Sequence, residues 1–431
     1  MTTAAYLLPS SFALIRAISS TIQGNRLLGA LSVMGASEMC NRVSRVITAV
    51  TLAHMLNASE FGIAAVALTT WELMRVFTAT GLDARILQCQ DGDLENVCRS
   101  SYSLNWALYA VVFVLQIAAA YPISLFYGDS RIAWLVMGLA IPYLVFPWVA
   151  VQVYRLQREQ RAGLTAAMLA VLISGDNLLA AVLALSGFGL WSIVVPKIVL
   201  SLVWTAVYLR LSSWRPTGKH DATSVRATFR FGAVILVTEI VNVLRLHGDK
   251  LIIGQMLGLE QLGTYYFAFN AGLGIMTGIV GAFSTALLPY FCRNAKENWS
   301  GAQFWKPVAT VSLVTIPLIA MQTGFAPIYV PIVFGHRWSE AIPLLMVLCL
   351  SGVTLGLWRA LTQFIRSRGR PGFELAVTVV YAGVGIAAVA ISAPHGLMAV
   401  AQAILATSLI MVPLLALVSL SHLKSTSKAS T

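Results

Sequence analysis

Glu38-Met39-Cys40-Asn41 returns 201 residues later as Glu239-Ile240-Val241-Asn242. The same offset pairs Met55-Leu56 with Met256-Leu257, and Phe61-Gly62 with Leu262-Gly263. From the Glu to the Gly is 24 residues in each copy, and each copy lies inside a long apolar segment. A repeat of this kind, with an acidic residue at bilayer depth, reads as two related membrane-spanning halves whose polar groups meet at a shared interface. Transporters are built in that way.

Composition points to the same class. Of 431 residues, 58% are apolar and only 11% charged, and the mean hydropathy is +0.78, which is not the make-up of a soluble globular domain. No signal peptide is read at the N-terminus, because Arg16 follows the short apolar run from Tyr6 to Ile18 instead of preceding it. Phe12, Ile15, Ile18 and Ile22 recur at helical spacing, so Ser11 to Gln23 is expected to lie as an amphipathic helix on the cytoplasmic face. The five cysteines are scattered, with no C-x-x-C pair, and support neither a disulfide framework nor a metal site.

A bilayer core takes roughly 20 apolar residues per helix. On that scale the chain divides into twelve spans, near 28–54, 62–84, 101–125, 132–154, 163–185, 188–209, 231–256, 262–289, 307–333, 340–364, 373–392 and 397–420. The expected fold is an all-α polytopic membrane protein. Its parts are a cytoplasmic segment 1–27, a six-helix bundle 28–210, a cytoplasmic linker 211–230, a second six-helix bundle 231–420 and a tail 421–431. Twenty of the 29 lysines and arginines fall in alternate loops and the two terminal segments, whereas the opposite loops hold only Arg131 and Arg337. By the positive-inside rule both termini are cytoplasmic. Six is an even number, so the two halves run parallel, and the loops on the outer side are too short for an external catalytic domain. The formal charge of +12 is accounted for mainly by these loop cations, not by a nucleic-acid surface.

Seven cations remain within the spans: Arg42, Arg45, Arg75, Lys197, Arg245, Lys250 and Arg359. Glu38, Glu72, Asp176, Glu239 and Asp249 join them, with Asp83 nearer the cytoplasmic end of the second span. A charge at bilayer depth costs about 2.5–3.5 kcal/mol on insertion scales, so each one faces a partner or a cavity. Glu38, Arg42 and Arg45 share one helical face, as do Asn242, Arg245 and Asp249 in the second copy, and the two faces are expected to oppose each other across a central cleft. Spacing permits the pairs Glu38–Arg42, Glu72–Arg75, Asp176–Lys197 and Arg245–Asp249. Arg45, Lys250 and Arg359 are left without an obvious partner, which favours an anionic ligand. The crowded glycines Gly272, Gly274, Gly278 and Gly281 allow close helix contact, and Pro196 is placed to open the backbone beside Lys197. Aromatic stripes read as packing. No G-x-x-x-x-G-K-[ST], H-E-x-x-H or G-x-S-x-G motif is present, so this is not read as an enzyme, and no cofactor or metal is expected.

The run from Arg45 to Gly62, with Leu52-Ala-His-Met-Leu-Asn-Ala-Ser-Glu-Phe-Gly62, resembles the first hairpin of bacterial polysaccharide (O-antigen and exopolysaccharide) flippases. So does Gly248-Asp-Lys-Leu-Ile-Ile-Gly-Gln-Met-Leu-Gly-Leu-Glu-Gln-Leu-Gly-Thr-Tyr-Tyr266, together with Leu287-Leu-Pro-Tyr290. These belong to the multidrug/oligosaccharidyl-lipid/polysaccharide exporter superfamily. The resemblance implies a V-shaped pair of bundles in the bacterial inner membrane. Such a protein moves undecaprenyl-pyrophosphate-linked oligosaccharide units outward by alternating access, and hands them to a polysaccharide polymerase and export machinery. In that reading Arg45, Arg245, Lys250, Arg359, Arg42 and Arg75 line a cationic translocation cavity. Glu38, Glu239, Asp249 and Asp176 are counter-charges or sites for a coupling ion (H+ or Na+), and one chain supplies both halves, as a monomer. The competing readings are a drug or small-cation antiporter of the same superfamily and a membrane glycan polymerase or ligase. The first needs an acidic cavity, whereas cations are in surplus here. The second needs a substantial external loop.

Overall fold

The computed structural model describes residues 26–78, 86, 89–158, 162–216, 222–293 and 301–428. The expected helix at 11–23 and Asp83 lie outside them. Among the described residues the secondary structure is helical throughout, and nine segments are long and apolar enough to cross a membrane. Leu313, Val171, Ile332 and Ile391 are each more than 70% exposed, an apolar surface suited to lipid.

In chain order the main helices are α1 (Arg26–Met55), α2 (Ala58–Arg75), α3 (Leu94–Tyr127), α4 (Arg131–Ala140), α5 (Ala150–Arg158), α6 (Ala162–Leu185), α7 (Trp191–Leu211) and α8 (Ala222–Met256). They continue as α9 (Leu259–Ala271), α10 (Leu273–Arg293), α11 (Gly301–Tyr329), α12 (Ile342–Ser351), α13 (Leu355–Ser367), α14 (Pro371–Ser392) and α15 (Leu397–Lys428). α1 and α8 are not among the nine apolar segments. They carry Glu38, Arg42 and Arg45, and Glu239, Arg245, Asp249 and Lys250, and they stand where the first and seventh spans are expected. α8 starts at Ala222, inside the stretch read as linker, because no Gly or Pro interrupts the chain between Ala222 and Phe231.

Packing repeats with the sequence. α1 packs on α6, α2 on α4, α3 on α4, α4 on α7 and α6 on α7. The second half answers with α8 on α14, α9 on α12, α11 on α12, α12 on α15 and α14 on α15. Contacts between the halves are made chiefly by α2 with α8 and α9, and by α3 with α8.

The tightest of these is a backbone crossing of α2 and α9. A β-carbon on Gly62 would overlap the Leu259 carbonyl, and one on Gly263 would overlap the Ala58 carbonyl. Ala58 and Leu259 are themselves 201 residues apart, so this is one contact made twice about a pseudo-two-fold axis. Each helix start is fixed locally. Asn57 and Glu60 form a reciprocal cap on α2, both bonds 2.9 Å, and Gly258 enters α9 at φ +88°, a conformation that favours glycine. Around the crossing the Trp338 ring stacks on Phe267 (4.1 Å between centroids) and meets the edge of Phe61 (5.1 Å). Arg337 and the Trp338 indole N–H both donate to the Ala53 carbonyl in the last turn of α1, the indole at 3.0 Å. On the same side the Tyr127 hydroxyl donates to the Leu251 carbonyl at 3.1 Å. One end of the molecule is therefore held shut across the halves.

Glycine and proline act differently from the sequence expectation. Gly278 and Gly281 face open space, so the Gly274–Gly278 spacing does not make a helix contact. Gly272 instead breaks the eighth span into α9 and α10, where a β-carbon would press on the Cys349 sulfur. Gln322 Nε2 donates to the freed carbonyls of Ala271 (2.8 Å) and Gly272 (3.2 Å). α7 runs unbroken through Pro196, while the fourth span is interrupted between α4 and α5, where Pro142 and Pro147 fall.

Gly263→Ala should lower the thermal stability of the purified protein by several degrees, because overpacking a backbone contact costs about 1–3 kcal/mol. Gly278→Ala, with open space around it, should leave the melting temperature unchanged. Equal melting of the two variants would show that the crossing is not tight.

Candidate functional site

The charged residues that the sequence places within the spans of α1 to α7 sort into pairs and one remainder, Arg45. On α1, Arg42 Nε bonds Glu38 at 3.1 Å. The adjacent face of α1 is spent on α6: Ser174 donates to Asn41 Oδ1 (2.9 Å), Asn177 donates to the Ser44 hydroxyl (3.2 Å), and Thr48 donates to the Asn177 carbonyl (2.5 Å). Arg45 is turned away from this seam. It is exposed, has no ion pair among the described residues, and lies in Coulombic reach of Tyr266 on α9, in the other half. On α2, Arg75 pairs with Glu72 at 2.7 Å. Lys197 on α7 pairs with Asp176 on α6 at 2.8 Å, matching the depth the hairpin sets. The Trp71 ring lies between the two cations, 5.7 Å from Arg75 and 5.3 Å from Lys197. His247 on α8 is within electrostatic reach of both Glu72 and Arg75.

On α8 the expectation fails in two places. Lys250 is not a free cation. Its ammonium is almost fully buried, with bonds to the Leu246 carbonyl (2.9 Å) and to its neighbour Asp249 (3.2 Å), and it lies 4.2 Å from the Phe269 ring centre. Asp249 in turn takes the Tyr265 hydroxyl, so it is not the counter-ion of Arg245. The Arg245 guanidinium instead lies over the rings of Trp358 (5.4 Å) and Tyr381 (5.7 Å), and its Nε is buried without a partner. An aromatic face offers a desolvated cation about 2 kcal/mol or more, comparable to a hydrogen bond to a charged group. Arg359, on α13, makes no ion pair among the described residues and feels the charges of Glu239 and Arg366.

The two polar faces therefore do not oppose each other as mirror images. Arg245 and Asp249 line a partly open pocket of about 140 Å³ between α8, α9, α10, α12 to α15 and the turn between α12 and α13, all within the second half. Arg45 and Glu72 look toward the seam between the halves. The sequence reading also missed Glu95, which accepts from Arg99 (3.2 Å), Arg155 (3.3 Å) and the Trp214 indole (3.1 Å), and so ties the chain after α7 back to α3. It missed the pair of Arg366 with the buried Glu374 as well (2.7 Å). Glu95–Arg99 is an ordinary i,i+4 pair, but the bonds from Arg155 and Trp214 to Glu95 and from Arg366 to Glu374 join separate helices and loops that no local spacing announces.

Helices of membrane-crossing length, packed twice in the same pattern around charges held at depth, define a multi-pass membrane transporter. The chain belongs to the polysaccharide biosynthesis protein family, whose model matches residues 51–343. It is 25% identical over 342 residues to the teichuronic acid biosynthesis protein TuaB of Bacillus subtilis (strain 168), covering 78% of this chain and 70% of that one. It is 27% identical over 316 residues to the succinoglycan biosynthesis transport protein ExoT of Rhizobium meliloti (strain 1021), covering 71% of this chain and 62% of that longer relative. Among solved structures, an inward-facing multidrug resistance MATE family transporter of the MOP superfamily superposes with a TM-score of 0.76. It is 14% identical, with 93% of this chain and all of that chain covered. The lipid II flippase MurJ, in an inward closed conformation, superposes with a TM-score of 0.72 at 13% identity, covering 90% and 87%. At these identities the likeness is one of fold.

Asp176→Asn should cut the yield of folded protein several-fold, because it leaves Lys197 in the membrane without its carboxylate. Exchanging the two charges in Asp176→Lys with Lys197→Asp should restore most of that yield in size-exclusion chromatography. A harmless single substitution would remove the pair from the structural framework.

Proposed function

We propose that this protein is a flippase. It translocates lipid-linked (undecaprenyl-pyrophosphate) oligosaccharide repeat units from the cytoplasmic to the outer leaflet of a bacterial inner membrane, for surface polysaccharide synthesis. The observation that carries the proposal is the sign of what remains after pairing. Arg45, Arg245 and Arg359 have no bonded carboxylate among the described residues; of the acids within the spans, Glu38, Glu72, Asp176 and Asp249 each have a bonded cation and only Glu239 does not, so the surplus is positive. Fixed, unpaired guanidinium groups at membrane depth suit a pyrophosphate, which takes them bidentately.

Arg45 is the primary contact for the pyrophosphate, since it is exposed and faces the seam between the halves. Arg42 and Arg75 are further donors whose charge Glu38 and Glu72 already balance. The shut end bears the loops with only Arg131 and Arg337, so by the positive-inside rule it is the outer end and the opposite end is cytoplasmic. Substrate then enters from the leaflet where it is made, and transport requires the α2–α9 crossing to part. Membrane lipid is the immediate surrounding of both halves. The net positive sign of the interior speaks against a cation antiporter, which needs surplus carboxylates.

Leaflet location of the lipid-linked oligosaccharide in a strain lacking this protein tests the reading. Repeat units should accumulate and resist a membrane-impermeant sugar label on intact spheroplasts until lysis. Labelling from outside would move the block to a later step and overturn it. Arg45→Glu, at unchanged protein level, should reduce outward labelling by about tenfold or more, the factor that ~1.4 kcal/mol produces.

A further inference from the structure

The closure at the outer end depends on one carbonyl. In a helix each C=O is met by the N–H four residues on. Ala53, in the last turn of α1, loses that donor, because the Asn57 N–H is taken by the Glu60 carboxylate in the cap of α2, at 2.9 Å. Ala53 is fully buried, out of reach of solvent. Its carbonyl is served instead from the other half, by the Arg337 guanidinium and by the Trp338 indole N–H at 3.0 Å. A buried carbonyl without a donor is costly, so α1 ends in an acceptor that the second half fills.

The two donors are mounted on the second half as one piece. α11 runs into a single π-helical turn (Val330–Phe334), Gly335 follows at φ +95°, and a short 3-10 helix (His336–Ala341) carries Arg337 and Trp338. Trp338 is buried and stacks on Phe267 of α9, which Phe334 meets edge-on at 5.2 Å. All three rings belong to the second half. Toward the first half Trp338 presents its indole N–H and an edge-to-face contact with Phe61. When the halves part, this hook keeps its own packing and gives up the contacts that cross.

The first half has a counterpart that differs in kind. There too the hairpin of the third and fourth spans sends a donor across, since the Tyr127 hydroxyl at the end of α3 bonds the Leu251 carbonyl of α8 at 3.1 Å. Leu251 lies within α8, where Gln255 supplies the regular helical donor. Tyr127 therefore adds a bond to a carbonyl already served. Arg337 and Trp338 serve one that has no other donor among the described residues.

We infer that Arg337 and Trp338 are the gating residues of the outer end. They form a catch, carried by the second half, whose hold on the Ala53 carbonyl sets the balance between the state shut at the outer end and the state open there. On release, water entering the parted mouth takes over the carbonyl. The catch concerns these two states alone and holds whatever the protein carries, so its test is independent of the flippase reading.

Hydrogen–deuterium exchange on the full-length protein in lipid nanodiscs, without substrate, provides that test. The double variant Arg337→Ala with Trp338→Phe keeps a ring on Phe267 and removes both donors. It should raise exchange at the start of α2 and of α9 by about tenfold or more. Tyr127→Phe should raise it by less than about threefold, since Leu251 keeps its helical donor. Peptides of α14 should exchange as in the parent, which separates release of the catch from general unfolding. Where the double variant does not fold, Trp338→Phe alone gives the reading, with a rise of about threefold or more. Unchanged exchange at the crossing, an equal rise throughout the chain, or a Tyr127→Phe effect as large as that of the catch variant would overturn the assignment.

Discussion

Two glycines, Gly62 and Gly263, let α2 and α9 touch backbone to backbone, and the rest of the structure is arranged around that contact. In lipid, apolar side chains gain little by packing on one another, so helices associate where small residues permit close approach and where hydrogen bonds cross between them. Here both occur together. The crossing sits at the start of each helix, fixed by the Asn57–Glu60 cap on one side and by the left-handed Gly258 on the other. The Trp338 ring and its indole bond to Ala53 then lock the flanks.

Symmetry at that contact makes the asymmetry further along the helices informative. At the 201-residue offset Ser44 corresponds to Arg245 and Thr48 to Asp249. In the first half these positions form a tight hydrogen-bonded seam between α1 and α6, through Asn177. In the second half the equivalent pair of helices, α8 and α14, brings Arg245 against Tyr381 and leaves a cavity beside it. One half closes the slot with three small polar side chains; the other fills it with a stacked guanidinium. The scaffold is duplicated and the chemistry is not.

What could be read in advance follows from range. The repeat, the helical class and the charge pairs Glu38–Arg42, Glu72–Arg75 and Asp176–Lys197 are set by spacing along one helix or across one short hairpin, and linear pattern reports them. The burial of Lys250 is not legible in the sequence, because a residue adjacent in sequence does not normally face its neighbour on a helix. Here its long stem folds back along α8 to reach both Asp249 and the Leu246 carbonyl. Trp358 and Tyr381 carry no signal in the sequence, because their contact with Arg245 exists only once α13 and α14 are brought against α8. Gly274–Gly278 matched a packing motif that the fold does not use, while the glycines that it does use were visible as part of the repeat.

The same distinction decides what the interior can bind. A paired charge in a membrane protein is weak testimony about ligand, since the pair answers its own cost. A cation on an aromatic face is different. The ring stabilises it enough to be tolerated, yet supplies no hydrogen-bond acceptor, so the N–H groups stay available. Arg245 is in that state, and Arg45 reaches it by exposure instead. Had evolution required only a stable helix bundle, Leu or Met at position 245 would have avoided the cost of an unpaired charge at depth. The charge is kept where two aromatic rings hold it and no carboxylate among the described residues bonds it, which is the arrangement expected of a cation reserved for an anionic ligand.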